Sequence, residues 1–113
     1  WLDADGRTAE RVYDVACGGR RLLKSGCEAP VGDTVDAASA TWTNDIGQAI
    51  LAGFWDDPDF DQSQRAFYYV RVLEIPTPRW TTYDAKVFGV AIPDGAPTSI
   101  QERAYTSPIW YTP

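Results

Sequence analysis

The sequence predicts a mainly β fold, a small antiparallel β-sandwich with one short helix, and three observations predict it. Residues 66–75 (Ala-Phe-Tyr-Tyr-Val-Arg-Val-Leu-Glu-Ile) are dominated by β-branched and aromatic side chains and are stopped by Pro76. The end of the chain, 100–111, holds a second strand expected to pair antiparallel with 67–73. A single stretch carries a helical start and stop: Thr81 with Asp84 fits a capping box, and Gly89 fits a C-terminal stop. The rival reading is an α+β domain in which 46–54 is helical.

The elements follow in order. Asp3-Ala4-Asp5-Gly6 reads as a hairpin turn, because Asp side chains bond nearby amides and Gly tolerates positive φ. Together with Glu10 it faintly echoes a calcium loop but lacks the twelve-residue spacing. Residues 11–17 alternate, with Tyr13, Val15 and Cys17 on one face, which predicts a half-buried strand. Residues 18–36 read as a long loop. Cys17 and Cys27 lie at its base, with Gly18, Gly19 and Gly26 between them. Two sulfurs without histidine make a poor zinc site. The pair therefore reads as a local disulfide, contributing about 2–3 kcal/mol in the chain-entropy model.

Residues 39–43 have strand composition and 44–47 read as a turn. Residues 48–56 are apolar, and Gly53 with Phe54 and Trp55 favours strand there. The densest acidic cluster is 56–61. Carboxylates this close repel unless solvent or a cation separates them. Asp57, Asp59 and Asp61 would be the ligands of a hard cation such as calcium. The preferred reading is a solvated turn without metal, with Phe60 tucked inward. In 66–75 both faces carry bulk, which predicts a central strand covered on both sides. Arg71 in its middle then needs a partner or an exit to solvent. Residues 90–99 form a crossing loop, and Pro108 belongs at a bulge or a strand start.

Length and charge bound the function. A chain of 113 residues suits one domain. It has no histidine, which excludes Ser-His and Cys-His nucleophile pairs, histidine bases and imidazole ligands. Ten Lys+Arg against sixteen Asp+Glu give a net charge of −6, which disfavours nucleic acid and anionic membranes as partners. No run approaches the ~18 apolar residues of a transmembrane helix. A disulfide implies an oxidising compartment, so the chain is expected to be exported, periplasmic or extracellular. It starts at Trp1 and contains no methionine, so it is expected to be a piece of a longer polypeptide.

The run Phe67-Tyr68-Tyr69-Val70-Arg71-Val72-Leu73-Glu74-Ile75-Pro76-Thr77-Pro78-Arg79-Trp80-Thr81-Thr82-Tyr83-Asp84-Ala85 resembles the C-terminal region of a bacterial family, the domain of unknown function numbered thirty-six-oh-four. Asp57-Pro58-Asp59-Phe60-Asp61, Val12-Tyr13-Asp14-Val15, Gly32-Asp33-Thr34-Val35-Asp36 and the closing run from Gln101 to Pro113 resemble it too. The resemblance implies large, exported proteins whose N-terminal portion is similar to the PHP (polymerase and histidinol phosphatase) metal-dependent phosphoesterases. That histidine-rich portion is not in this chain. Residues 1–113 would then be a single C-terminal accessory β-domain, non-catalytic and without a cofactor, and its partner the N-terminal catalytic portion of the same polypeptide.

Arg71, Glu74, Arg79, Trp80, Tyr83 and Asp84 gather where strand gives way to helix and suit an interdomain surface. Their local alternatives are an Arg71–Glu74 ion pair and a Trp80 core plug. A second function is a stand-alone binding module, for instance for carbohydrate, using exposed aromatics, although Trp42, Trp55 and Trp110 sit on predicted strands. Catalysis by paired carboxylates is disfavoured, because Asp57, Asp59 and Asp61 share one short turn instead of facing across a cleft. An unpaired edge would let the fragment form a homodimer.

Overall fold

The computed structural model describes residues 1–3, 5–19, 22–24 and 26–113. Two short strands, β1 (Leu22–Leu23) and β2 (Gly26–Cys27), pair inside the loop that the Cys17–Cys27 disulfide closes. One long antiparallel ribbon organises the rest. Its first side is β3 (Ala66–Tyr68), β4 (Arg71–Leu73) and β5 (Thr77–Pro78). The helix α1 (Trp80–Phe88) follows, and the chain returns as β6 (Ser99–Ile100), β7 (Arg103–Tyr105) and β8 (Ile109–Tyr111). β5 pairs with β6, β4 with β7 and β3 with β8. The described residues build the mainly β class with one short helix, and the terminal strand pairs where the sequence places it.

The prolines explain the interruptions. Phe67 faces Trp110 and Arg71 faces Tyr105, so 69–70 on one side oppose 106–108 on the other. Leu73 faces Arg103 and Thr77 faces Ile100, so 74–76 oppose 101–102. Each offset is one extra residue, a β-bulge, and each bulged segment contains a proline, Pro108 or Pro76. A proline has no N–H to offer the ladder, so the bulge is where it is tolerated. Hydrogen bonds from Thr106 N–H to the Val70 carbonyl (3.0 Å) and from Glu74 N–H to the Glu102 carbonyl (2.9 Å) keep the ribbon continuous.

The structure corrects four expectations. The 66–75 run is one side of a two-stranded ribbon, and its faces stay open: Phe67, Tyr69, Val70, Val72 and Leu73 are each about half exposed. Arg71 accordingly lies in solvent. Residues 11–17 are extended, with Tyr13, Val15 and Cys17 half-buried as their alternation predicts, but no ladder forms there. Residues 39–43 make one bridge, Asp36 to Thr41, because Asp36 folds the chain back by accepting from Ala38 N–H and Ser39 Oγ. Residues 48–56 are neither strand nor helix; Ile50 and Phe54 stand 84% and 104% exposed. In all four the composition signals a wish to be half-buried, and the missing ingredient is a neighbouring surface.

The helix departs from its predicted start. It opens at Trp80, with Arg79 as an extended N-cap (φ −68°, ψ 155°) that makes no side-chain cap bond. Thr81 therefore lies within the first turn instead of capping it, and its buried Oγ1 has no partner among the described residues. Gly89 ends the helix as predicted: its left-handed backbone (φ 65°) turns its N–H back to the Ala85 carbonyl. The inward face is polar. Thr82 is fully buried and donates its hydroxyl to the Thr98 carbonyl at 2.6 Å, tying α1 to the returning strand.

The other end of the ribbon meets the start of the chain. Leu2 bridges antiparallel to Thr8 on one side and to Arg65 on the other. Asp3 Oδ1 accepts from the Asp5 and Arg7 amides, and Gly6 N–H donates to the Asp3 carbonyl, the expected hairpin turn among its described residues.

Candidate functional site

Three surfaces carry chemistry: the acidic turn, the outer face of α1 and one face of the ribbon. In the turn, Asp57 Oδ2 accepts from the Tyr68 hydroxyl at 2.8 Å and Asp57 Oδ1 from the Asp59 amide at 2.9 Å. Asp59 accepts from the Tyr13 hydroxyl at 2.6 Å and forms an ion pair with Arg11. Asp61 accepts from the Ser63 amide and hydroxyl. The three carboxylates thus point to different partners. Among the described residues no group of three or more His, Cys, Asp or Glu is arranged to hold a metal ion.

The electrostatics follow from these bonds. The Tyr13 hydroxyl, helped by the Arg11 charge, holds the Asp59 carboxyl below the ordinary range. The Asp59 bond in turn raises the Tyr13 phenol, and the Tyr13 bond raises the Arg11 guanidinium, with Asp59 next. Burial pushes the Tyr68 phenol up to about 12, and its bond to Asp57 adds to the effect. Ser63 lowers Asp61 and Ser39 lowers Asp36. The turn is also an apolar clamp. Trp55 lies 4.9 Å from Tyr13 and 6.2 Å from Tyr68, ring centre to ring centre. Phe60, half exposed instead of tucked inward, meets Tyr111 edge-on at 5.0 Å. The Tyr111 hydroxyl donates to the Gln62 carbonyl at 2.9 Å. Residues 55–62 are thereby fastened to one face of β3 and β8.

The six residues read as an interdomain surface do not form one patch. Trp80, Tyr83 and Asp84 are brought together on the outer face of α1, at i, i+3 and i+4, and Val87 extends the row at i+7. Trp80 is 65% and Val87 74% exposed, so Trp80 is no core plug. Arg79 is taken up by the helix start: its amide donates to the Thr98 carbonyl and its carbonyl accepts from Thr82 and Tyr83. Arg71 and Glu74 lie along the ribbon, both exposed, and no ion pair joins them among the described residues. The helix is inverted in amphipathic sense, with threonines inward and Trp-Tyr-Val outward.

A third surface was missed at the level of sequence. On the ribbon face opposite the acidic turn, four rings stand in a row. Trp110 and Phe67 are 5.0 Å apart, Phe67 and Tyr69 are near-parallel at 6.2 Å, and Tyr69 and Tyr105 are 6.0 Å apart. All four are about half exposed or more. The signal was the i, i+2 spacing of Phe67 and Tyr69, which was read as core. Cys17 and Cys27 are joined by the expected disulfide, with Cα atoms 5.7 Å apart. No described helix is long and apolar enough to cross a membrane.

These features describe a small β-rich domain with open apolar faces and a disulfide-closed loop. A family model described as "Protein of unknown function (DUF3604)" matches residues 1–113, and the chain belongs to that family. No curated protein and no solved structure matches it.

Proposed function

We propose that this chain is a non-catalytic accessory domain of an exported protein and that it works by docking on the rest of the same polypeptide, a catalytic portion of the PHP-like metal-dependent hydrolase type. One observation carries this reading. The chain exposes 8997 Å² at a mass of 12.5 kDa. A self-contained domain of that mass exposes about 6,200 Å², so roughly 2,800 Å² is in excess. A standard interface takes only about 800 Å² from each partner. The radius of gyration, 18.9 Å, agrees with the area; a compact domain of this length has about 13 Å. The inverted helix supports the same reading, because a Trp-Tyr-Val stripe facing outward is the apolar half of an interface.

The test is oxidative footprinting of Trp80 and Trp110 in the full-length protein and in the isolated chain. Docking slows labelling of Trp80 at least several-fold in the full-length protein; equal labelling in both overturns it. The row Trp110, Phe67, Tyr69 and Tyr105 supports a second reading, a surface on which sugar rings stack. It falls if a polysaccharide panel leaves the tryptophan fluorescence unchanged.

A further inference from the structure

The N-terminal hairpin and the ribbon define a strand-wide slot. Leu2 pairs on both sides at once, with Thr8 and with Arg65, so at that level it is the middle strand of three. Its N–H donates to the Arg65 carbonyl at 2.9 Å, while Trp1 exchanges bonds with Ala9: Trp1 N to the Ala9 carbonyl at 2.7 Å and Ala9 N–H to the Trp1 carbonyl at 2.9 Å. Both flanking chains continue past Trp1, one as 9–13 and the other as 65–71. Successive residues of a strand turn their backbone groups to alternate sides. Since Arg65 points its carbonyl at Leu2, Phe67, Tyr69 and Arg71 point theirs the same way. Since Ala9 points at Trp1, Arg11 and Tyr13 point into the slot from the other side. Among the described residues, no backbone bond satisfies the outward groups of these five. This also accounts for why 11–13 is extended yet unladdered.

We infer that the slot is filled by the segment that leads into Trp1 in the full-length polypeptide, running as a β-strand between 9–13 and 65–71. This rests on the longer polypeptide of the reading above but uses a different surface, a backbone edge instead of the α1 face. The register is fixed by the existing pairs. Stepping back from Leu2 opposite Arg65 puts the residue immediately before Trp1 opposite Phe67, the third before it opposite Tyr69 and the fifth opposite Arg71. The second and fourth face Arg11 and Tyr13. The completed sheet has four antiparallel strands, and the slot strand is central.

Cysteine pairs in the full-length protein test this. Opposite residues of a bonded antiparallel pair have Cα atoms about 5.5 Å apart, within disulfide reach. A cysteine immediately before Trp1 combined with Phe67→Cys is expected to cross-link within one molecule. The same cysteine with Trp110→Cys, on the far strand of the ribbon, is not. A second pair, the fifth residue before Trp1 with Arg71→Cys, covers the case in which the first variant fails to fold. Absence of both cross-links, a cross-link of equal yield at Trp110→Cys, or cross-links only between two molecules overturns the inference. Trp80 footprinting on the same samples separates the two readings: Trp80 covered without cross-links leaves docking standing and removes the slot strand.

Discussion

Replacing Trp80 by alanine separates a docking helix from a solvent helix. Trp80 keeps 65% of its surface exposed on α1. A tryptophan side chain buries up to about 250 Å², so about 160 Å² remains to be covered, worth about 4 kcal/mol at about 25 cal/mol per Å². If the rest of the polypeptide covers that face, Trp80→Ala removes most of this from the full-length protein and leaves a cavity besides. In the isolated chain the same change removes an exposed ring and is expected to cost less than about 0.5 kcal/mol. The assay is urea unfolding followed by circular dichroism on both proteins. With a slope of about 3 kcal/mol per M, the full-length midpoint drops by more than about 1 M while that of the isolated chain barely moves. A full-length shift as small as that of the isolated chain refutes the reasoning, because an uncovered ring contributes alike in both.

Three further outcomes are expected. Thr82→Val removes the hydroxyl bond to the Thr98 carbonyl and costs about 1 kcal/mol, whereas Thr81→Val removes a buried hydroxyl without a partner and costs nothing or stabilises; denaturant midpoints compare the two. Asp59 has a depressed folded-state pKa, so its contribution is present above the unfolded-state value and is lost as pH falls through the folded one. Carbon-detected NMR titration should place its midpoint below that of an ordinary aspartate and return it upward in Tyr13→Phe, and an unchanged midpoint counts against the Tyr13 bond. Tyr68 has a raised pKa, so the folded state keeps a proton that the unfolded chain releases, and stability is full below about pH 10 and falls between there and about 12. Absorbance at the phenolate band should show one late-titrating tyrosine that disappears in Tyr68→Phe and titrates earlier in Asp57→Asn.

The ribbon and helix were legible because their signals are local or lie within the chain. Pro108 announces a bulge or strand start, Gly89 announces the helix end, and both strands of the long pair are present to find each other; Pro76 reads in the sequence as a stop, but the ladder bulges there and resumes at Thr77. The start of α1 departs from the sequence signal because Thr81 resembles a cap, while the Arg79 amide is held by Thr98 across the hairpin and sets the helix two residues earlier. Residues 11–17, 39–43 and 48–56 carry strand composition without a ladder. A strand is a relation between two segments, and composition reports only one of them. The same gap hid the aromatic row: alternation places Phe67 and Tyr69 on one face but does not say whether anything lies on top. The six candidate residues share only their place where strand gives way to helix; the i, i+3, i+4 spacing puts Trp80, Tyr83 and Asp84 on one helix face, whereas Arg71 and Glu74 lie along the ribbon.

The two bulges have opposite sense. The pairing slips by one residue on the returning side near Pro108 and by one on the outgoing side near Pro76, so the slips cancel and the two ends of the ribbon stay in phase. A single-residue deletion at either bulge would leave that phase error standing, turning the side chains of one strand over relative to its partner along the remaining length. A matched pair of deletions, one at each bulge, would restore it. The length of one side is therefore tied to the length of the other, and changes in either are tolerated only in compensating steps.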